Sequence, residues 1–295
     1  MTVALSGCST FTNRDVVARV NGADITVDEF EPLAAEYFGT PEVFGATPVQ
    51  YGRGDADQAR PLATVLVQRE LLDQFFEQQG VDATTARDQF KAEAIATSAL
   101  GGLSDAMQDL ITGIHETPRT QVLRSIEPPA ADELRALYAD DPARIGMLCM
   151  RHILVETEAE ADAVIDELAG GADFATLALE RSIDPTVADN AGALGSATND
   201  CVPLKTLLPN FAPEFTRRAL TAREGVPAEP VETQFGWHVI LQRPWDEVAA
   251  SVLGLYAPGD AGSYLFDGFA VTSSVTIDPR FGTWDQLTST IVPIG

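Results

Sequence analysis

The apolar positions of this chain follow two rhythms. Val16, Ala18 and Val20 alternate with Val17 and Arg19 as in a short strand, and Asn21-Gly22 supplies a hairpin turn before a return strand at Ile25. Thr26 and Glu29 then stand at capping-box spacing, and Val27, Phe30, Leu33 and Ala34 line one face of the helix they open. Residues 39–57, rich in Gly, Pro and small polar side chains, read as a loop. Helical spacing returns at Leu62, Val65, Leu66, Leu71, Leu72, Phe75 and Phe76, with Gly80 as a stop signal. Further helices are expected over residues 84–100, over 104–115 resuming at 120–126, and over 130–139 after the break Glu127-Pro128-Pro129.

The rhythm changes near Gly146. "MLCMRHILV" is an almost continuous apolar run, the pattern of a strand at the centre of a sheet. Thr157 and Glu160 cap a helix with the stripe Ala161, Val164, Ile165 and Leu168, which Gly170-Gly171 end. Asp173 caps a second helix, buried through Phe174, Leu177 and Ala178. A loop "IDPTVADNAGALG", a helix in "APEFTRRALTARE", an extended stretch over 226–231 and a closing strand "GWHVILQRP" follow. Beyond Trp245 the chain reads as a tail of alternating, β-like stretches. Its Val275 and Ile277 are expected to pair with the Val16–Val20 hairpin, because so short a strand cannot stand alone. The expected class is α+β: a mostly helical N-terminal module closed by a C-terminal strand segment, with an inserted sheet-and-helix domain. The boundaries expected are 1–13 for a tether, 14–145 for the helical module, 146–245 for the inserted domain and 246–295 for the segment packing back on the module.

Composition narrows the partners. The net charge of −25 over 295 residues excludes a nucleic-acid partner, since phosphate binding needs a basic surface. At the N-terminus, Leu5-Ser6-Gly7-Cys8 has the form of a bacterial lipobox, with Cys8 as the lipidated residue. Seven residues before Cys8 are too few for a secretory signal, so either the true start lies upstream or the match is chance. With the first reading, membrane contact runs only through that lipid. Cys149 and Cys201 form a disulfide if the protein is exported, or stay as two buried thiols.

The chain has three histidines, and two of them, His152 in "RHILV" and His238 in "GWHVIL", head apolar strands. Between them lie "GADFATLALERS", "SIDP", "GALG" and "FAPEF". In this order the phrases resemble the parvulin family of peptidyl-prolyl cis/trans isomerases, over about residues 147–243. The N-terminal "VNGADIT" and "LVQRELLDQFFEQQGV" look like the chaperone module of SurA-like and PrsA-like foldases. The resemblance implies a four-stranded antiparallel sheet packed with helices. It implies His152, His238, Asp184 in "SIDP" and Thr233 as the catalytic polar group, and Leu194, Phe211 and Phe215 as the apolar residues that receive a proline ring. Ala193 stands where the family often has Asp, and the segment Ser196 to Pro209, which holds Cys201, is longer than in minimal parvulins.

No cofactor or metal is expected. Cys149 and His152 sit three apart on one strand and so face opposite ways, which disfavours a zinc site built from Cys149, His152, Cys201 and His238. A Ser/His/Asp hydrolase would need a nucleophile elbow, and the sequence holds no such phrase. The function implied is an extracytoplasmic, lipid-anchored isomerase and foldase acting on unfolded or proline-containing polypeptides. The alternative is a holdase chaperone that binds such chains with little catalysis.

Overall fold

A computed structural model describes residues 15–45, 56–195, 199–256 and 259–294. Cys8 lies outside them, as do residues 196–198 of the long segment. The chain divides into two compact units, one of residues 1–122 with 273–295, the other of residues 123–272.

The first unit is built on the expected hairpin. Val16–Val20 pairs antiparallel with Ala23–Thr26, and Asn21 and Gly22 both take positive φ, 48° and 93°, as a type I′ turn requires. Val275–Ile277 adds a third antiparallel strand on the other edge, with Ala18 opposite Ile277 and Val20 opposite Val275. Thr26 caps the helix Val27–Gly39 with a complete capping box. The helix expected from Leu62 begins earlier and runs Ala56–Gln78. Pro61 is tolerated because it lies near the helix start and removes a single backbone bond. Leu62, Ala63, Val67, Leu71, Leu72, Phe75 and Phe76 are buried from this helix, and Gln74 donates from its side chain to the Val20 carbonyl.

The second unit holds the sheet that carries both histidine phrases. Met150–Val155 pairs antiparallel with Gly236–Gln242, which pairs on its other side with Val231–Thr233. The fourth position of the implied sheet is filled by an irregular edge. The His152 N–H donates to Gly192 O and the Leu194 N–H to Met150 O, with a single bridge between Arg151 and Ala193. Gly192 makes this approach close: with φ +79°, a Cβ there would lie 2.4 Å from the His152 carbonyl oxygen. One face of the sheet packs on a cluster with Met150, Ile240, Leu204, Leu207 and Phe215, the other on Ile153, Val155, Val164, Phe174 and Val239.

Two expectations need correction. The stretch after Trp245 is not β-like as far as residue 272: it forms the helices Trp245–Leu255 and Ala261–Thr272 and belongs to the second unit, as do residues 123–145. Only the end of the tail returns to the first. Glycines hid the second helix by lowering its propensity, yet Gly268 serves packing: a Cβ there would lie 2.3 Å from the Arg144 carbonyl oxygen. The segment before "FAPEF" also contains an unexpected helix, Leu204–Asn210, buried through Leu204 and Leu207.

Candidate active site

The histidine strands meet in a register that explains their spacing. His152 is opposite Ile240, and His238 is opposite Leu154, so the two histidines are diagonal neighbours on one face. Their Nδ1 atoms are 3.2 Å apart, and both residues are buried. Val231–Thr233 lies beyond, and the Thr233 hydroxyl is 2.9 Å from His238 Nε2. Thr233 is held in turn by the N–H of Phe235, which donates to its oxygen.

Asp184 reaches the group from a loop. The Ile183 N–H donates to the Leu154 carbonyl, and the Ser182 hydroxyl accepts from the N–H groups of Leu154 and Asp184, which seats the loop against the strand. Asp184 Oδ1 accepts from the N–H and hydroxyl of Thr186, and Oδ2 lies 2.9 Å from His152 Nε2. That last contact sets the His152 ring nitrogen against the carboxylate, and it favours the ionised form of Asp184. Sequence reasoning misses Ser182 and Thr186; the signal is the turn chemistry of "RSIDPT", where the Ser and Asp side chains accept from N–H groups two residues on and the Thr hydroxyl donates back to Asp184.

The environment sets the protonation. Burial pushes the His152 pKa down, opposed by the Asp184 carboxylate. Burial, then the charge of His152, push His238 down to about 4. Burial alone would raise Asp184, but donation from Thr186 and the neighbouring His152 outweigh it and hold the carboxyl below its ordinary value. Both imidazoles are therefore neutral at pH 7, each with one N–H and one acceptor. The carboxylate favours the His152 proton on Nε2. Nδ1 of His152 then accepts from Nδ1 of His238, and Nε2 of His238 accepts from the Thr233 hydroxyl. The result is a one-way chain from Thr233 through both rings to Asp184.

This arrangement fixes a pH dependence. A depressed histidine pKa means that the unfolded chain binds more protons below about pH 6.5. The stabilisation is complete above that value and is lost as pH falls toward about 4, where folded His238 itself protonates. The gap is worth about 3 kcal/mol for His238, and His152 adds in the same direction. Urea midpoints for the second unit should fall from pH 7.5 to pH 5; a midpoint that rises would contradict neutral buried histidines.

The apolar half lies against the rings. Phe215, on the helix Pro213–Leu220, is buried, and its ring meets His238 edge-on at 5.1 Å and His152 at 6.0 Å. Phe211 stacks on Phe215 at 5.6 Å and stays half-buried, and Leu194 packs half-buried against the same cluster. The geometry thus brings together His152, Asp184, Thr233 and His238, with Leu194, Phe211 and Phe215 beside them. Cys149 and Cys201 are joined as a disulfide.

Residues 152–243 match the family model described as Rotamase: PPIC-type PPIASE domain. They form a parvulin domain. The foldase protein PrsA of Caldanaerobacter subterraneus subsp. tengcongensis is 33% identical over 126 residues, covering 41% of this chain and 38% of that protein. The foldase protein PrsA of Halalkalibacterium halodurans is 40% identical over 90 residues, covering 30% of this chain and 24% of that protein. The solution structure of NmPin, the parvuline of Nitrosopumilus maritimus, aligns at 30% identity over 33% of this chain and 96% of that one, with a TM-score of 0.29. The chain thus spans less than two fifths of the length of these two foldases. All seven site residues above fall within the parvulin domain. Among the described residues no helix is long and apolar enough to cross a membrane.

Proposed function

We propose that the protein is a peptidyl-prolyl cis/trans isomerase that serves as a foldase for exported polypeptides. The observation that carries this reading is the convergence of His152, Asp184 and His238 beside the Phe211–Phe215 stack.

An X-Pro amide resists rotation by roughly 18–20 kcal/mol because conjugation places partial negative charge on its oxygen and partial positive charge on nitrogen. Twisting removes that charge separation. Water stabilises the planar, polar form, so a slot that strips water from the amide favours the twisted one. Leu194, Phe211 and Phe215 form such a slot and have the flat apolar surface a pyrrolidine ring needs. The Asp184 carboxylate, kept ionised by Thr186, repels the carbonyl oxygen while that oxygen is negative and less once it is twisted. The histidine chain fixes the carboxylate's surroundings with neutral rings. No nucleophile is required, because no bond to the chain is made.

Asp184→Ala should lower kcat for X-Pro peptides by about tenfold or more, about 1.4 kcal/mol of selective stabilisation, with little change in KM. An exchange-NMR assay on proline peptides checks it. Equal and negligible rates in wild type and variant, with retained suppression of client aggregation, would instead favour the holdase.

The buried disulfide and the resemblance to named foldases support an oxidising, extracytoplasmic setting, with the first unit holding unfolded segments while the parvulin domain acts. The "LSGC" phrase supports anchoring through a lipid on Cys8. In a bacterium expressing the gene, Cys8→Ser should release the protein from the membrane fraction; unchanged fractionation would remove the anchor from this reading.

A further inference from the structure

The two halves of the proposed site are carried by different stretches of chain. The strand Met150–Val155, which Cys149 immediately precedes, gives the polar half His152, the ring that contacts both Asp184 and His238. The aromatic half is carried by the helix Leu204–Asn210, by Phe211 and by the helix Pro213–Leu220, a run that Cys201 leads by a few residues. Leu204–Asn210 is seven residues long and contains Pro209, so it cannot hold its own position. At its start three things place it: the two-residue ladder of Met147 with Pro203 and Leu148 with Val202, the Leu204 N–H donated to Gly146 O, and the covalent bond between Cys149 and Cys201.

We infer that the Cys149–Cys201 bond is a positioning element for the proline slot, holding the wall of Phe211 and Phe215 against the strand of His152. The inference rests on the isomerase reading for the identity of the slot. Cys149 and Cys201 are 0% and 3% exposed, so the bond is a standing brace rather than a switch open to a soluble reductant. It reaches the aromatic wall through the backbone from 201 to 211, while Asp184 and His238 take their polar partners from Thr186, His152 and Thr233. Its removal therefore weakens capture of the proline ring more than it slows turnover of what is captured.

The test uses the full chain with Cys149→Ala and Cys201→Ala together, at 10 °C, with an Ala-Leu-Pro-Phe peptide as probe. NMR titration gives Kd, and exchange spectroscopy gives kcat and KM. Kd and KM should rise by about tenfold while kcat changes by less than about twofold and its pH profile stays as in wild type. Val164→Ala is the control: it removes buried volume on the opposite face of the sheet and should leave Kd unchanged. A folded double variant that binds as tightly as wild type overturns the inference, as does a Val164→Ala variant that weakens binding equally. If the alanine pair does not fold, insertion of two glycines between Pro203 and Leu204 keeps the bond but uncouples it from the wall. The same rise in Kd is then expected, and an unchanged Kd overturns the inference. A wild-type protein that binds the peptide without catalysis sinks the isomerase reading alone, and the Kd comparison still decides the brace.

Discussion

Phe215→Ala is expected to lower kcat/KM for X-Pro peptides by about thirtyfold or more, equivalent to about 2 kcal/mol of lost transition-state binding. The ring is 3% exposed and meets four partners at once: the core, Phe211 and both histidines. Truncation opens the floor of the slot, lets water reach the amide and frees Phe211 from its stack. Water in the slot restores the advantage of the planar amide, so turnover falls as well as binding. The same change removes core volume and should cost about 3–5 kcal/mol of stability, so activity must be read where circular dichroism shows the variant folded. Phe215→Leu separates the effects: most of the volume stays, the flat surface goes, and an intermediate loss of activity is expected. A folded Phe215→Ala protein with wild-type kcat/KM would falsify the assignment of the slot.

Cys149→Ala with Cys201→Ala is expected to destabilise the second unit by about 4 kcal/mol and to lower its melting temperature by about 10 °C. The bond links residues separated by 52 positions, and closing a loop of that length removes much of the freedom of the unfolded chain. The closed loop contains the strand of His152, both capped helices, Asp184 and Leu194, so its constraint bears on two of the four polar residues of the site and on one of its apolar residues. Because both sulfurs are buried, reductant applied to the native protein at 25 °C and removed before the scan should leave the melting curve unchanged, and reductant kept present during unfolding should reproduce the variant. Scanning calorimetry under both regimes checks the prediction; identical melting of wild type and double variant would contradict it.

Much of this fold was legible because the relevant signals are local. Thr26 with Glu29 and Thr157 with Glu160 each satisfy a helix start within one turn of chain, and both boxes form as their spacing requires. Asn21-Gly22 needs only its own backbone freedom to make the turn. The helices Leu204–Asn210, Trp245–Leu255 and Ala261–Thr272 were not legible for the converse reason. A proline in the first and glycines in the last lower their local propensity, and they are stabilised by what they pack against. The same contrast runs through the site. The residues of the polar group were recognisable as phrases, whereas Ser182 and Thr186, which seat and ionise Asp184, matter only once the loop lies against Leu154.

Local spacing alone specified the residue types on offer and the strands and turns that present them: two histidines at strand heads, a carboxylate in a turn, and two phenylalanines four positions apart. Only the tertiary structure decided that His152 and His238 fall on the diagonal of an antiparallel pair, that Asp184 comes within 2.9 Å of one of them, and that Cys149 meets Cys201. Register and loop docking depend on burial summed over a whole sheet face, which no short window of chain contains.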